Sequence, residues 1–320
     1  MCGIAGILNF EDEPVDRRRL VKMAESIRHR GPDDDGFFTT GAFGMAMRRL
    51  SIIDLNTGAQ PIFNEAGSVS VIFNGEIYNH KSLRSDLEGR GHVFKTASDT
   101  EVIAHLYEES GADFVHLLRG MFAIAIWDEC EKRLLLIRDR LGVKPLYYAV
   151  HNGELIFGSE IKCLFAAADI PRSPDPAGID SYLRTQYAPL DITAFKGVRK
   201  LRAGHLISAG ASGFETKQYW EVNFPSIHDD IGEAEAISRF REMFMQSVEM
   251  RLMSDVPLGS FLSGGIDSGA VTAAMSRLTG EPVRAFTIGF GDEATGFSEL
   301  DEARITAKTC GANFHGRLVR

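Results

Sequence analysis

The two halves of the chain follow different patterns of strands and helices. Up to residue 208, short apolar strands are separated by polar turns and a few helices, with no β-α-β repeat. This pattern favours two stacked antiparallel sheets with helices outside. From Glu233 onward strands and helices alternate, as in a parallel sheet covered by helices. We therefore expect two domains, residues 1–208 and 233–320, joined by an irregular linker at residues 209–232.

Charge and cysteine content exclude several classes of protein. The net charge is −9 with both signs interspersed, which argues against a nucleic-acid-binding surface. There is no uninterrupted apolar run of about 18 residues, so no membrane span is predicted. Cys2, Cys130, Cys163 and Cys310 lie far apart and form no C-x-x-C pair. A zinc site or disulfide framework is therefore not expected, and a cytoplasmic location fits best.

Cys2 directly follows the initiator methionine. If an aminopeptidase removes Met1, Cys2 carries a thiol and a free α-amine on the same Cα. The reference pKa is about 8.5 for the thiol and about 7.7–8.0 for the amine, so the amine can accept the thiol proton near neutral pH. Such a pair is an activated nucleophile. The alternative is an ordinary buried cysteine near a chain end.

The pair Asn74-Gly75 follows a short β-branched strand at residues 69–73. An Asn-Gly pair in this position usually marks a hairpin turn. Alternatively, Gly75 lets the backbone approach a ligand. The Asn74 amide and the Gly75 N–H would then be two donors for an oxyanion.

Three other polar stretches also allow two interpretations. Asp99 either caps a helix that opens at Ser98 or binds an ammonium group. Residues 28–36, rich in Arg, Gly and Asp, form either a charged surface loop or a loop that closes over a polar ligand. Residues 138–144 carry charges that are predicted to form a buried ion-pair network ordering their loop.

In the second half, an apolar strand at residues 256–262 is followed by Ser-Gly-Gly-Ile-Asp-Ser at 263–268 and then by a helical pattern. A strand, a Gly/Ser loop and a helix N-terminus together form a site for phosphate. Ser263 and Ser268 add hydroxyl donors, and Asp267 would require a bridging Mg²⁺. The alternative is an ordinary turn before a helix, capped by Asp267 or Ser268.

Several motifs, taken in order, resemble the class II glutamine amidotransferase domain. They are Cys2-Gly3-Ile4-Ala5-Gly6, Arg30-Gly31-Pro32-Asp33, Arg49-Leu50-Ser51-Ile52, Asn74-Gly75-Glu76 and Ser98-Asp99. With the loop at 263–268, the whole chain resembles glutamine-hydrolysing asparagine synthetases and their close relatives. The resemblance implies an α+β then α/β fold. An N-terminal-nucleophile four-layer α-β-β-α sandwich would be followed by a partial parallel-sheet ATP pyrophosphatase domain.

The resemblance also implies roles in glutamine hydrolysis. The thiol of Cys2 would be the nucleophile and its α-amine the general base, with Asn74 and Gly75 as the oxyanion hole. Arg49 would bind the α-carboxylate of glutamine, and Asp99 and Glu76 would bind its α-amine. Glutamate and ammonia would form through a thioester on Cys2. The expected partners are L-glutamine, L-aspartate or another carboxylate acceptor, and a second copy of the chain in a homodimer.

In the second half the resemblance implies an ATP site with Mg²⁺ at Asp267. Its residues would be Leu262, Ser263, Gly264, Gly265, Asp267, Ser268 and Ile288. ATP would adenylate aspartate and release pyrophosphate, and ammonia from an internal channel would then yield asparagine and AMP. Gly269 departs from the family, in which a second serine is common there.

The family's synthetase half continues beyond Arg320 and carries the aspartate-binding residues there. We therefore expect a fragment or a diverged short form, with a competent glutaminase and an unfinished synthetase site. One alternative is the same glutaminase feeding another carboxylate acceptor of a sugar or peptide pathway. A sugar-isomerase or phosphoribosyl partner domain is disfavoured, because the 263–268 loop is of the adenylating type. A third alternative is a non-enzymatic relic subunit, against which the intact glutaminase residues argue.

Overall fold

The computed structural model describes residues 2–224, 231–290 and 298–319. The chain divides into two compact units, Met1–Phe224 and Pro225–Arg320. The expected removal of Met1 concerns a residue outside this described part. The expected linker likewise includes residues 225–230, which are not among the described residues.

The first unit contains two six-stranded antiparallel sheets. In spatial order, the first sheet consists of β10 (Val198–Lys200), β8 (Tyr147–His151), β9 (Glu154–Gly158), β1 (Gly3–Asn9), β3 (Phe43–Arg49) and β2 (Asp34–Thr40). The second consists of β12 (Gly213–Gln218), β11 (His205–Gly210), β7 (Arg133–Arg138), β6 (Gly120–Asp128), β5 (Val69–Ile77) and β4 (Ile62–Phe63). Both β1 and β5 are interior strands, so each is held by neighbours on two sides.

Three apolar cores separate four layers. The outer helices are α1 (Arg17–Ser26) and α4 (Ile161–Ala167) on the first sheet, α2 (His80–Gly89) and α3 (Glu101–Ser110) on the second, and α5 (Pro176–Thr185) later in the unit. Along β1, Ile4 and Leu8 pack between the sheets, whereas Ala5 and Ile7 pack under the helices of the first sheet. The predicted α-β-β-α sandwich is confirmed.

The first unit extends past the expected boundary at residue 208. β12 pairs with β11, and the Tyr219 hydroxyl donates to the Arg138 carbonyl at 2.6 Å. The backbone N–H groups of Tyr219 and Trp220 both donate to Gly204. The stretch expected to begin the linker is therefore a hairpin of the second sheet. Its outer strand is mostly exposed, so it lacks the apolar alternation that marks a strand in a sequence.

The charges at residues 138–144 order their loop through backbone groups. The Asp139 carboxylate accepts hydrogen bonds from the N–H groups of Leu141, Val143 and Lys144. The Arg138 guanidinium donates to three carbonyls, at 2.6–2.7 Å. The expected ordering of the loop is present, but it comes from side chain–backbone bonds and not from an ion-pair network.

The second unit alternates helices and parallel strands, as the sequence predicts. Its elements are α6 (Glu233–Met250), β13 (Gly259–Phe261), α7 (Ile266–Thr279), β14 (Arg284–Phe290), α8 (Leu300–Cys310) and β15 (Asn313–Val319). The sheet has the order β13-β14-β15. The sequence indicated only the first two strands, because β15 is exposed along nearly its whole length. No helix among the described residues is long and apolar enough to cross a membrane.

Candidate active site

A cavity in the first unit collects all six residues that the sequence assigned to glutamine chemistry. It is lined by Cys2, Arg49, Leu50, Ile52, Ile53, Gln60, Phe73, Asn74, Gly75, Glu76, Ser98, Asp99, Thr100 and Lys144. The six predicted residues come from the start of β1, the end of β3, the second half of β5 and the segment before α3, and the other lining residues include some from the loops after β3 and after β7. Sheet pairing thus brings together groups that are far apart in the sequence.

Strand pairing fixes the position of Cys2. Gly3 lies opposite Arg48 in the β1–β3 pair, so Cys2 is level with Arg49. Because side chains alternate along a strand, Cys2 faces the layer between the sheets, as Ile4 does. The Cys2 thiol donates to the Leu50 carbonyl, with 3.6 Å between sulfur and oxygen. Burial raises the pKa of this thiol. It therefore needs a base before it can act as a nucleophile.

The stretch predicted as a loop at residues 28–36 contains a short 3-10 helix, Arg28–Arg30, and the first residues of β2, and it contributes to the site through Arg30. The Arg30 Nε donates to the Cys2 carbonyl at 2.9 Å, and Nη1 donates to Glu160 Oε1 at 3.1 Å. Arg30 therefore holds the backbone at the start of β1, and the loop is more than a charged surface segment.

Asn74 supplies a buried donor without an acceptor. It is 1 % exposed, and its Nδ2 has no hydrogen-bond partner among the described residues. Its side chain points into the layer between the sheets, because it lies two residues after Ile72 on β5. Leaving a buried amide donor unpaired costs about 1–3 kcal/mol, so such a group usually has a functional reason. Asn74 therefore indicates that a ligand brings an oxygen atom into the cavity.

Gly75 lies within β5, which continues to Ile77, so Asn74-Gly75 is not a hairpin turn. A Cβ at Gly75 would lie 2.1 Å from the Met121 carbonyl oxygen. Glycine is thus required by the close packing of β5 on β6. This reason differs from the expected one, which was the approach of a ligand.

The Gly75 N–H nevertheless points away from β6, toward the edge of β5 that borders the cavity. Phe122, opposite Gly75, uses both its N–H and its carbonyl with Asp139. Gly75 and Phe122 are therefore a non-hydrogen-bonded pair, and the Gly75 N–H points to the other edge of β5. On that edge the N–H groups of Phe73 and Ile77 each donate to a side chain. The Gly75 N–H lies between them, on the edge that borders the cavity.

Asp99 is turned into the cavity instead of capping α3. The N-cap of α3 is Thr100, whose N–H donates to Ser98 Oγ at 3.2 Å. Asp99 Oδ2 accepts a hydrogen bond from the Ile77 N–H at 2.9 Å. Burial and the nearby charge of Glu76 raise the pKa of Asp99 to about 7. Such a carboxylate gains from an approaching cation, because a positive charge restores its ionised form.

Arg49 reaches the cavity from the end of β3. It is 6 % exposed, and its Nη2 donates to the carbonyls of Ile53 and Asp54 at 3.0 and 2.6 Å. These two bonds fix the plane of the guanidinium beside Cys2. A fixed guanidinium is suited to binding a carboxylate with two parallel hydrogen bonds.

The cavity also has lining residues that were not predicted as site residues, among them Lys144 and Gln60. Lys144 is buried, and burial lowers its pKa, although the charges of Glu76 and Cys2 work in the other direction. Gln60 accepts from the Phe73 N–H at 2.7 Å and donates to Thr100 Oγ1 at 3.2 Å. Gln60 therefore joins the edge of β5 to the start of α3. Neither residue has a local sequence pattern that distinguishes it from the lysines and glutamines that lie on the surface.

In the second unit, the loop at 263–268 follows the carboxyl end of β13 and leads into α7. This is where parallel sheets bind ligands. α7 begins at Ile266 without a side-chain cap, so its first N–H groups are open to an anion. Ser268 Oγ accepts from the Ser263 N–H at 3.0 Å, and Asp267 is exposed. The capping alternative is therefore not what the structure has.

Packing against α8 explains the glycines at positions 264 and 269, and burial differs between the two apolar residues assigned to this site. A Cβ at Gly264 would lie 2.9 Å from the Cβ of Glu302, and one at Gly269 would lie 3.2 Å from Thr306 Cγ2. Close contact with α8 therefore favours glycine at both positions. Leu262 is 3 % exposed and packs in the core of the second unit, whereas Ile288 is 56 % exposed on β14. Of these two residues of the predicted ATP site, only Ile288 presents its side chain at the surface.

Family comparisons match both units. A glutamine amidotransferase domain matches residues 1–220, and an asparagine synthase domain matches residues 239–319. Glutamine-hydrolysing asparagine synthetase 2 of Bacillus subtilis is 43 % identical over 285 residues, which cover 85 % of this chain and 38 % of that protein. Synthetase 1 of the same organism is 39 % identical over 324 residues, covering 100 % of this chain and 50 % of that protein.

Two further comparisons widen the range of relatives. Amidase chry2 of Gibberella zeae is 34 % identical over 345 residues, covering 98 % of this chain and 50 % of that protein. The solved structure of glutamine phosphoribosylpyrophosphate amidotransferase from B. subtilis is similar with a TM-score of 0.52. It is 16 % identical, with 99 % of this chain and 81 % of that one covered, so it supports the fold alone. The chain spans half or less of the length of these sequence relatives.

Proposed function

The chain belongs to the glutamine amidotransferase domain family and carries a segment of the asparagine synthase domain, and from this we propose that its first unit hydrolyses L-glutamine to feed ammonia to an ATP-dependent synthetase. The unpaired Nδ2 of Asn74, in one cavity with Cys2, Arg49 and Asp99, carries the proposal. Glutamine has a matching set of groups. Its carboxamide would meet Cys2 and Asn74, its α-carboxylate Arg49, and its α-ammonium Asp99 with Glu76.

The proposed reaction uses groups of this chain alone. After removal of Met1, the α-amine of Cys2 takes the thiol proton, and the sulfur attacks the carboxamide carbon of glutamine. The Asn74 Nδ2 and the Gly75 N–H would donate to the oxygen, which becomes negatively charged. The amine then returns the proton to the leaving nitrogen, so ammonia departs and a thioester remains. Water hydrolyses the thioester to glutamate and restores the thiol.

In the second unit, we propose that residues 263–268 hold the phosphates of ATP and that Asp267 holds Mg²⁺. The uncapped start of α7 and the exposed carboxylate support this assignment. Ile288, exposed on β14, completes the proposed site, whereas the buried Leu262 supports it from the core of the second unit. When bound, ATP supplies the adenylyl group that activates a carboxylate. With L-aspartate as acceptor, the overall products are asparagine, AMP and pyrophosphate.

A different carboxylate acceptor is the second candidate, because a relative named as an amidase covers the chain as fully as the synthetases do. We also propose a cytoplasmic location, which the four unpaired cysteines favour. The homodimer implied by the resemblance belongs to the same proposal, and light scattering of the purified chain tests it.

Two assays on the purified chain test the two halves separately. The first measures glutamate release from glutamine. The second measures pyrophosphate release from MgATP with aspartate and ammonium, without glutamine. Asp267→Ala should leave glutamate release unchanged and abolish any pyrophosphate release that the parent chain shows. A chain with a free Cys2 amine, verified by mass spectrometry, that releases no glutamate contradicts the glutaminase proposal. Pyrophosphate release with a sugar or peptide carboxylate, but not with aspartate, favours the second candidate.

Replacement of Arg49 should mainly weaken the binding of glutamine. We expect Arg49→Ala to raise KM roughly 10–100-fold, because a charged hydrogen-bonded partner contributes about 1.5–3 kcal/mol. kcat should change much less, since the α-carboxylate is remote from the reacting bond. Arg48→Ala is the matched control, because that neighbouring side chain pairs with Asp35 at 3.0 Å on the other side of β3. A larger effect on kcat than on KM would contradict this role.

The binding of glutamine should strengthen as pH rises through about 7. The pKa of Asp99 is raised to about 7, so its carboxyl group is mostly protonated at pH 6 and mostly ionised at pH 8. Only the ionised form attracts the α-ammonium group. The dissociation constant should therefore be about tenfold lower at pH 8 than at pH 6. Calorimetry on the Cys2→Ala protein measures it without turnover. Asp99→Asn should weaken binding and remove most of this pH dependence.

A further inference from the structure

A second cluster of reactive side chains lies outside the cavity, in the first unit. Its members are Glu65, His92, His105 and Glu108. Glu65 lies in the turn between β4 and β5, and His92 follows α2. His105 and Glu108 are one turn apart on α3 and therefore share a face. One ligand atom from each of the four lies within 4.8 Å of the others.

The shortest distances between these four side chains, in which Glu65 uses both of its carboxylate oxygens, are close to those of a small coordination site. His105 Nδ1 lies 3.1 Å from Glu65 Oε2 and 3.4 Å from Glu108 Oε2. His92 Nδ1 lies 3.2 Å from Glu65 Oε1 and 3.9 Å from Glu108 Oε2. A tetrahedral zinc ion with ligands at about 2.0–2.1 Å has neighbouring ligands about 3.3 Å apart. Small shifts of these side chains are sufficient to reach that geometry.

The two imidazole rings differ at Nε2. His105 Nε2 lies 3.8 Å from Glu101 Oε1, beyond hydrogen-bond distance, and has no hydrogen-bond partner among the described residues. His92 Nε2 lies 3.1 Å from Glu109 Oε1, which orients this ring for coordination through Nδ1. A carboxylate next to Nε2 favours the proton on that nitrogen, which leaves the lone pair on Nδ1 for a metal. Carboxylate–histidine–metal arrangements of this kind are typical of metal sites.

The two glutamates are held in place from outside the cluster. The Val93 N–H donates to Glu65 Oε1 at 2.9 Å, and Asn64 Nδ2 donates to Glu108 Oε1 at 2.7 Å. Their side chains remain 34 % and 29 % exposed, whereas that of His105 is 1 % exposed. The cluster therefore has one buried ligand, fixed partners and a side open to solvent through which an ion can enter.

We propose that Glu65, His92, His105 and Glu108 bind one divalent transition-metal ion of the Zn²⁺ type. Imidazole and carboxylate ligands suit such ions, and four protein ligands make a structural site. The ion would join the β4–β5 turn and the end of α2 to α3. The absence of paired cysteines excludes only a thiolate zinc site, so the composition does not oppose this proposal. The proposal is independent of the proposed reaction.

Metal titration of the full chain tests the site. The Cys2→Ala protein is used throughout, so that the Cys2 thiol does not bind the probe. After treatment with EDTA, it is titrated with Co²⁺ by visible absorption and with Zn²⁺ by calorimetry. We expect one equivalent of each, a four-coordinate Co²⁺ spectrum that Zn²⁺ abolishes, and a higher Tm with Zn²⁺. An absence of saturable binding overturns the proposal.

Matched variants locate the binding. We expect His92→Gln and Glu108→Gln to weaken Zn²⁺ binding at least tenfold. The exposed His116→Gln and Glu88→Gln should bind as the parent does. Glu109→Gln leaves all four ligands in place and should weaken binding less than loss of a ligand. Circular dichroism of each metal-free variant shows whether it is folded. Undiminished binding in folded His92→Gln and Glu108→Gln proteins contradicts the assignment.

Discussion

We expect the Cys2→Ala variant to lose glutamine hydrolysis by about 10⁴-fold or more, because nothing else in the cavity can form the thioester. The fold should remain. Among the described residues the Cys2 thiol has one hydrogen bond, the 3.6 Å contact to the Leu50 carbonyl, and the residue is half-buried at the start of β1. The free energy of unfolding should therefore change by less than about 1 kcal/mol. Glutamate release and thermal unfolding measure the two quantities.

Cys130→Ala is the matched control, because that cysteine is exposed and lies on a turn remote from the cavity. It should retain full activity. A Cys2→Ala protein that still hydrolyses glutamine would remove Cys2 from the reaction. A second check uses protein that retains Met1. It should be inactive although its thiol is intact, because the amine that serves as base is then part of an amide bond.

Asn74→Ala should have the second largest effect. Loss of one oxyanion donor lowers kcat by roughly 10²–10³-fold. KM should change little, since the donor acts mainly on the charge that develops during the reaction. The Nδ2 of Asn74 has no partner to lose among the described residues, so the stability cost should be small relative to the catalytic loss. Steady-state kinetics of glutamate release measure both parameters.

Asn223→Ala, an exposed position outside the strands, is the control for this replacement and should leave kcat unchanged. Asn74→Asp gives a further test, because it keeps the shape of the side chain and replaces the donor with an acceptor. We expect it to be at least as slow as the alanine variant. If the fall in kcat is accompanied by a fall in Tm large enough to leave much of the protein unfolded in the assay, Asn74 supports the fold, and the result argues against the oxyanion role.

The sequence predicted the parts of the fold that depend on local geometry. Short apolar strands separated by polar turns predicted the antiparallel sheets of the first unit, and the switch to alternating strands and helices predicted the second unit. These features depend on periods of 2 and 3.6 residues, which are visible in any short window. By contrast, β12 and β15 are exposed strands whose backbone pairing leaves no apolar pattern.

Local pattern did not decide between the alternatives at the site. The sequence of Asn74-Gly75 is typical of a turn, but its pairing with β6 makes it part of a strand. The position of Asp99 is typical of a helix cap, but its carboxylate accepts a hydrogen bond from Ile77 instead. The raised pKa of Asp99 arises from burial and from Glu76, and both depend on the assembled sheet. Lys144 lines the same cavity, although its loop lies more than 40 residues after Asp99 in the sequence.

By itself, the sequence determined which chemical groups are available and which of them lie on strands, helices or turns. It placed a cysteine next to the initiator methionine and a Gly/Ser loop between a strand and a helix. Only the tertiary structure decided which groups meet. Cys2, Arg49, Asn74 and Asp99 share a cavity because β1 pairs with β3 and the two sheets stack. Glu65, His92 and His105 meet for a similar reason. Strand pairing and layer packing join residues without regard to sequence distance, so no local pattern records them.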